Sequence, residues 1–255
     1  MALLVKRGGR RRELFASMPA GTILDFPAGD GDQSRQLAAM GYRPVLADLF
    51  APAQSRDGFR WVQADANRIF PFQSGSFDYV LSREGIEHLE YQAQFIRECA
   101  RVLKPSGKLV LTTPNVLHLH ARLSYLLSGQ RILGRGVINE IQTPRFAGDG
   151  RMYHGHAFLI DYFRLRYLLK LSGFDRIEVF TDRFSPSSLA LAPIVPILCG
   201  AYALSVRRSI RKDRSKGKRH EYGSVFKEVA EHVFSPAMLF GKRLIIVATM
   251  GSATS

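Results

Sequence analysis

Between residues 22 and 113 the chain alternates short apolar runs with stretches of helical period. The runs 22–26 (TILDF), 44–48 (PVLAD), 59–65 (FRWVQAD), 76–82 (SFDYVLS) and 108–113 (KLVLTT) read as strands. Residues 32–41 read as a helix ending at Gly41. Residues 91–103 read as an amphipathic helix with Phe95, Cys99, Val102 and Leu103 on its apolar side, stopped by Lys104-Pro105-Ser106-Gly107. Strands joined by helical crossovers predict a parallel, doubly wound sheet, and ligands of such sheets bind beyond the carboxyl ends of the strands.

After Pro114 the pattern changes. Residues 116–128 look helical, 129–157 irregular, 160–174 an amphipathic helix closed by Gly173, and 176–181 and 243–250 are strands. The expected architecture is an α/β, doubly wound seven-stranded sheet. It carries a basic segment at 1–20, a core at 21–182 plus 242–250, a cover over the acceptor site at 114–157, and an insertion at 183–241. Inside the insertion, 189–206 runs 18 residues without a charge, by length a borderline membrane span. If the two flanking strands pair, both ends of the insertion emerge on one side, which argues against crossing. Pro193, Pro196 and Gly200 should also break it as a straight helix.

Charge sharpens this picture. The net charge is +14, and two runs carry most of it: Lys6, Arg7, Arg10, Arg11 and Arg12 at the start, and eight cations with Asp213 over 207–219. An apolar stretch abutting a cationic run suits attachment to an anionic membrane surface, since two weak signals together make a stable anchor. The segment 189–219 is therefore the expected membrane element, and a cytoplasmic protein peripheral to the inner face of the plasma membrane the expected setting. The opening residues run apolar then basic, the reverse of a secretory leader. Cys99 and Cys199 make no disulfide framework, and no CxxC or Cys/His cluster points to a metal site.

The first strand runs into Pro27-Ala28-Gly29-Asp30-Gly31-Asp32. Glycines in a strand-to-helix turn let the backbone approach a ligand closely. A dinucleotide turn needs a further glycine, but Ser34 or Asp32 occupies its place, and Asp30 and Asp32 put negative charge where a pyrophosphate belongs. A cationic ligand without phosphate tolerates those carboxylates. Here, over residues 20–182 and the final strand, the chain resembles the class I S-adenosylmethionine-dependent methyltransferases. The resemblance implies a Rossmann-like methyltransferase fold with S-adenosylmethionine as cofactor. It implies that Asp25, Pro27, Ala28, Gly29 and Gly31 form the turn at the methionine part, and that Asp48, with Leu49, takes the ribose hydroxyls. Asp65 with Ala66 would receive the adenine, and Ser82 closes the fourth strand beside the cofactor. Pro27 stands at a glycine place of the family motif, a departure tolerable if that residue has negative φ and needs no N–H.

Methyl transfer to a hydroxyl needs a base as well as alignment. His88, His156 and Glu84 are the leading candidates, with Glu87, His118, His120 and His154 nearby in sequence. The cover is rich in Arg122, Tyr125, Arg131, Arg135, Arg145, Arg151 and Tyr153, which suits a polyhydroxylated or anionic acceptor. A wider similarity in 113–129 and 238–250 is to bacterial methyltransferases associated with cell-surface saccharides. The expected acceptor is accordingly a membrane-associated saccharide or lipid-linked molecule, with a quinone precursor or other small molecule as the alternative. A nucleic-acid substrate is the third reading. It is disfavoured because the basic runs lack interleaved aromatics and "SREG" replaces a base-flipping motif after the fourth strand.

Overall fold

The computed structural model describes residues 9–50, 58–130, 138–141, 143–146, 150, 152–215 and 222–252. Its centre is a seven-stranded sheet built from β1 (Thr22–Asp25), β2 (Arg43–Asp48), β3 (Arg60–Gln63), β4 (Phe77–Arg83), β5 (Leu103–Pro114), β8 (Phe174–Phe180) and β9 (Arg243–Met250). The spatial order is β3-β2-β1-β4-β5-β9-β8. The first five strands run parallel, and β9 enters antiparallel between β5 and β8. The order in which strands are added therefore reverses at β1/β4, which leaves a crevice beyond the ends of those two strands.

Helices cover both faces. On one face α3 (Gln92–Val102) buries Phe95, Ile96, Cys99 and Val102, an i, i+4, i+7 set that lays its apolar stripe on the sheet. With it lies α5 (Tyr162–Leu171), and together they enclose the larger core around Phe26, Phe70, Leu109 and Ile246. The other core gathers Ile23, Leu37, Tyr42, Tyr79, Leu81 and Val110 beside α2 (Asp32–Ala38). The basic opening segment reaches this second core. Helix α1 (Gly9–Ala16) inserts Phe15 edge-on against Tyr42, whose hydroxyl donates to the Phe15 carbonyl at 2.8 Å.

The helix stop at 104–107 holds, since α3 ends at Val102, but β5 starts earlier than expected and includes these residues, with Ser106 at φ 61°. Lys104 Nζ is held by Asp78 Oδ1 at 2.7 Å, which ties this irregular stretch to β4. The apolar run in the insertion is also less broken than expected. It forms α6 (Pro186–Ala190), a 3-10 turn at Ala192–Ile194, and α7 (Val195–Ser215), which runs straight through Gly200. Pro193 and Pro196 fall at the starts of the last two, where the missing N–H costs nothing. The insertion closes with α8 (Tyr222–Val233) and α9 (Pro236–Phe240). No described helix is long and apolar enough to cross a membrane.

After β5, the expected helix at 116–128 appears as α4 (Leu119–Ser128), and the stretch read as irregular contains a small hairpin of β6 (Pro144–Phe146) with β7 (Met152–His154). Asn115 holds this region to the core. Its buried amide donates to the carbonyls of Met238 at 2.8 Å and Gly241 at 2.9 Å, and its Oδ1 accepts from Leu117 N–H.

Candidate active site

The turn after β1 is held from beneath. Asp25 is buried and its Oδ2 accepts from Ser34 Oγ at 2.7 Å, while Ala28 N–H donates to the Ala47 carbonyl. Asp25 thus braces the turn against α2. Asp48, at the tip of β2, accepts from Gly29 N–H and from Phe50 N–H, each at 2.9 Å. Leu49 beside it is half-buried and takes the Gln63 side-chain amide on its carbonyl.

The two glycines have different reasons to be glycine. Gly29 has φ 60°, is exposed, and a Cβ there would meet nothing within 4 Å. Gly31 has φ 76° and opens α2, but a Cβ there would come 2.9 Å from Leu46 Cδ2. Gly29 faces open space and Gly31 faces the core. Pro27 follows a cis peptide bond, and its ring packs on Gly85, where a Cβ would lie 2.5 Å from Pro27 Cδ. That contact seats the turn after β4 directly against the turn after β1.

Beyond β3, Asp65 accepts from Asn67 N–H at 2.9 Å and lies 3.4 Å from Arg68 Nε. It lines a cavity of about 660 Å³ with Asn67, Arg68, Ile69, Glu90, Tyr91 and Gln94. Ala66 is buried. Ser82, fully buried at the end of β4, has an Oγ with no hydrogen-bond partner among the described residues.

The turn after β4 gathers the acid–base groups. Glu84 takes φ 49°, a conformation that side chains with a Cβ rarely adopt. Its Oε1 is buried with no hydrogen-bond partner among the described residues, and its Oε2 lies 3.6 Å from Arg243 Nε. Glu87 is completely buried in a 3-10 turn (Ile86–His88) and accepts from Thr113 Oγ1 at 3.1 Å. His88 Nδ1 lies 2.6 Å from the His154 carbonyl and 3.1 Å from that of Gly155. Two carbonyls can only accept, so Nδ1 carries a proton, and in the neutral ring the lone pair is on Nε2. The His156 ring stands 5.0 Å from that of His88. Tyr153 packs edge-on between His88 and Phe50, with centroids at 6.5 and 5.7 Å.

The other histidines have different tasks. His118 caps α4, its Nδ1 accepting from Ala121 N–H at 3.1 Å and contacting Ser188 Oγ at 2.9 Å. His120 stacks on it, and His154 pairs with Glu90 at 2.7 Å. Of the cover residues, Arg122 is held by the Leu117 carbonyl at 2.6 Å, and burial lowers its pKa. It lines a cavity of about 720 Å³ with Tyr125, Asp161 and Arg164. Arg145 lies in β6. Arg131, Arg135 and Arg151 lie outside the described residues.

Sequence reasoning passed over Phe50, Thr113 and Asn115. The available signal was position: each lies within two residues of a strand end at the ligand-facing rim.

Residues 24–111 match the family model of a methyltransferase domain. Over 184 residues, 65% of this chain and 70% of the relative, the sequence is 28% identical to the ubiquinone/menaquinone biosynthesis C-methyltransferase UbiE of Stutzerimonas stutzeri. The protein of the same name from Pseudomonas paraeruginosa is 28% identical over 183 residues, covering 65% and 69% of the two chains. Among solved structures, a SAM-dependent methyltransferase from Archaeoglobus fulgidus superposes with a TM-score of 0.55 at 15% identity, over 95% of this chain and 92% of that one. The phosphoethanolamine N-methyltransferase 2 of Haemonchus contortus gives 0.52 at 20% identity, over 98% of this chain and 54% of that one. Residues 24–111 carry a methyltransferase domain, and the chain is a methyltransferase enzyme built on a Rossmann-like α/β sheet.

Proposed function

We propose that this enzyme moves a methyl group from S-adenosylmethionine to a hydroxylated, quinone-precursor type of small molecule presented at a membrane surface. The described residues fit that cofactor: the cavity at Asp65, the open face of Gly29 and the Ser82 Oγ, unbonded among the described residues, lie at the carboxyl ends of β3, β1 and β4. S-Adenosylmethionine supplies a methyl already activated by the sulfonium charge. The chain's own part is to hold and align. Gly29 leaves room at the turn, Asp48 fixes that turn and offers its remaining lone pairs to ribose hydroxyls, and Asp65 marks the adenine end. At the acceptor end, the His88 ring is held through Nδ1, with His156 and Glu87 beside it.

The single observation that carries the reading is the contact of Pro27 with Gly85, which joins the cofactor turn to the His88 turn. The relatives' names favour a quinone precursor over a cell-surface saccharide, for which nothing comparable speaks. A membrane source is supported by exposed Leu126 and Leu127 on α4 and by Leu189 on α6, Ile194 in the 3-10 turn, and Ile197 and Leu204 on α7. His118 and Ser188 join the two regions, and exposed Arg207, Arg208 and Arg211 follow along α7. Radiolabelled methyl transfer into demethylated quinol, membrane lipid, polysaccharide and RNA tests the acceptor; label in polysaccharide alone rejects the quinone class. Flotation with anionic liposomes tests the surface, and retention by a variant lacking 189–219 rejects it.

A further inference from the structure

We infer that Glu87, His88 and His156 bind a single divalent first-row transition-metal ion at the acceptor end of the site. One ligand atom from each of these three side chains lies within 4.8 Å of the others. The donor set is two imidazoles and a carboxylate, a combination that suits a divalent transition ion while leaving positions open for an exogenous ligand. No spacing in the sequence announces it, because His156 comes from the cover, 68 residues beyond His88.

Three features of the fold make this set more than proximity. The His88 Nδ1–H is committed to the His154 and Gly155 carbonyls at 2.6 and 3.1 Å. A backbone carbonyl on the far nitrogen is the arrangement that orients metal-bound imidazoles and keeps the other nitrogen available. Glu87 is fully buried, and its Oε2 takes a hydrogen bond from buried Thr113 at 3.1 Å, as ligating carboxylates are usually steadied. Glu84, three residues earlier, brings a second carboxylate to the same turn, with Oε1 buried and unbonded among the described residues and the backbone at φ 49°. Backbone strain of that kind concentrates at functional sites.

Ligands at about 2.1 Å from a four-coordinate ion stand roughly 3.4 Å apart. The set must therefore contract somewhat, and exposed His156 is the member able to move. This assignment rests on the methyltransferase reading only for its chemical role. A hydroxyl of the acceptor would take an open position on the ion, which lowers its pKa and lets its proton leave to solvent. The oxygen, or the ring carbon made electron-rich by it, then forms the bond to the methyl carbon, and where carbon attacks, its C–H proton afterwards leaves to solvent and the ring regains aromaticity. The carbon–sulfur bond breaks with its electron pair staying on sulfur, and the ion is unchanged. His88 is then a ligand, not the base.

Titration of the purified, chelator-stripped full chain with Co²⁺, Mn²⁺ and Mg²⁺ tests the site directly. Calorimetry and the Co²⁺ visible spectrum should report one ion per chain, with Mg²⁺ at least tenfold weaker. His156→Asn should weaken Co²⁺ binding at least tenfold and change its spectrum, while leaving the melting temperature and S-adenosylhomocysteine affinity in place. Glu87→Gln should do the same to Co²⁺ if it remains folded by near-ultraviolet circular dichroism. Absence of stoichiometric binding overturns the proposal. So does binding that His156→Asn leaves intact but His154→Asn removes, which would place the ion at the His154–Glu90 pair. Loss of S-adenosylhomocysteine binding by the wild type would instead strike the methyltransferase reading, since the metal titration does not depend on it.

Discussion

Two glycines two positions apart answer to different forces, and substitution separates them. At Gly29 the backbone is left-handed but the space beside it is open, so a side chain costs about 1 kcal/mol of conformational strain and little packing. Gly29→Leu should therefore shift the melting temperature modestly while reducing S-adenosylhomocysteine affinity more than tenfold by calorimetry. At Gly31 even a methyl would press on Leu46, so Gly31→Ala should lose roughly 1–3 kcal/mol of stability in urea titrations. The turn's glycine pattern was legible in the sequence; this division of labour was not, because it depends on Leu46, a residue of another strand. Pro27 belongs here too. Its ring fills the space above Gly85, so Pro27→Gly removes a contact between the two turns. Pro27→Gly should therefore lower methyl transfer measurably in a radiolabel assay.

Helix α3 shows how an element far from the reacting atoms shapes the cofactor end. Glu98 accepts from Phe70 N–H at 2.7 Å and pairs with Arg101 at 2.6 Å, while Arg101 holds the carbonyls of Phe70 and Phe72. Arg101 holds the Glu98 carboxyl below its usual pKa. The loop so clamped follows directly on Asp65 and forms one wall of its cavity. Glu98→Ala should cost roughly 1–3 kcal/mol, the price of leaving a buried N–H without its partner. It should also raise the KM for S-adenosylmethionine more than it lowers kcat. The parallel strands and α3 could be read from the sequence because each carries its own apolar period. Helix α8 carries one too, at Val225, Phe226, Val229 and Val233, and was overlooked inside a segment read as one insertion. The β6–β7 hairpin is another matter. Three residues a side give no period, and its place is fixed by the His88 contact with the His154 carbonyl. The acceptor site was legible only to that extent: His88 and His156 could be picked out as chemistry, but what brings them together is a tertiary contact.

At the scale of the whole molecule, helix α8 of the insertion meets α5 of the core through ionic contacts and a titratable one. Arg166 on α5 reaches Glu228 on α8 at 2.7 Å, and the Tyr162 hydroxyl bonds His232 Nδ1. His232 faces Tyr162, Arg166 and Lys170 from α5, and Glu228 and Glu231 from its own helix. Burial dominates this balance and lowers the His232 pKa from 6.5, although the two glutamates pull the other way. The unfolded chain therefore binds this proton more readily than the folded one. Its contribution to stability is complete above about pH 6.5 and is lost as pH falls from there through the folded pKa. Glu228, whose pKa is also lowered, loses its share only below about 4.5, so between pH 7.5 and 5.5 His232 is the member of this contact that titrates. The melting temperature should fall over that interval, at about 2–4 °C per kcal/mol for a chain of this size. His232→Asn keeps a hydrogen-bond acceptor for Tyr162 but cannot titrate. Its melting temperature should fall less over the same interval, the difference between the two slopes isolating this histidine from the others. Equal slopes in wild type and variant would mean that α8 is not held to α5 through a neutral imidazole.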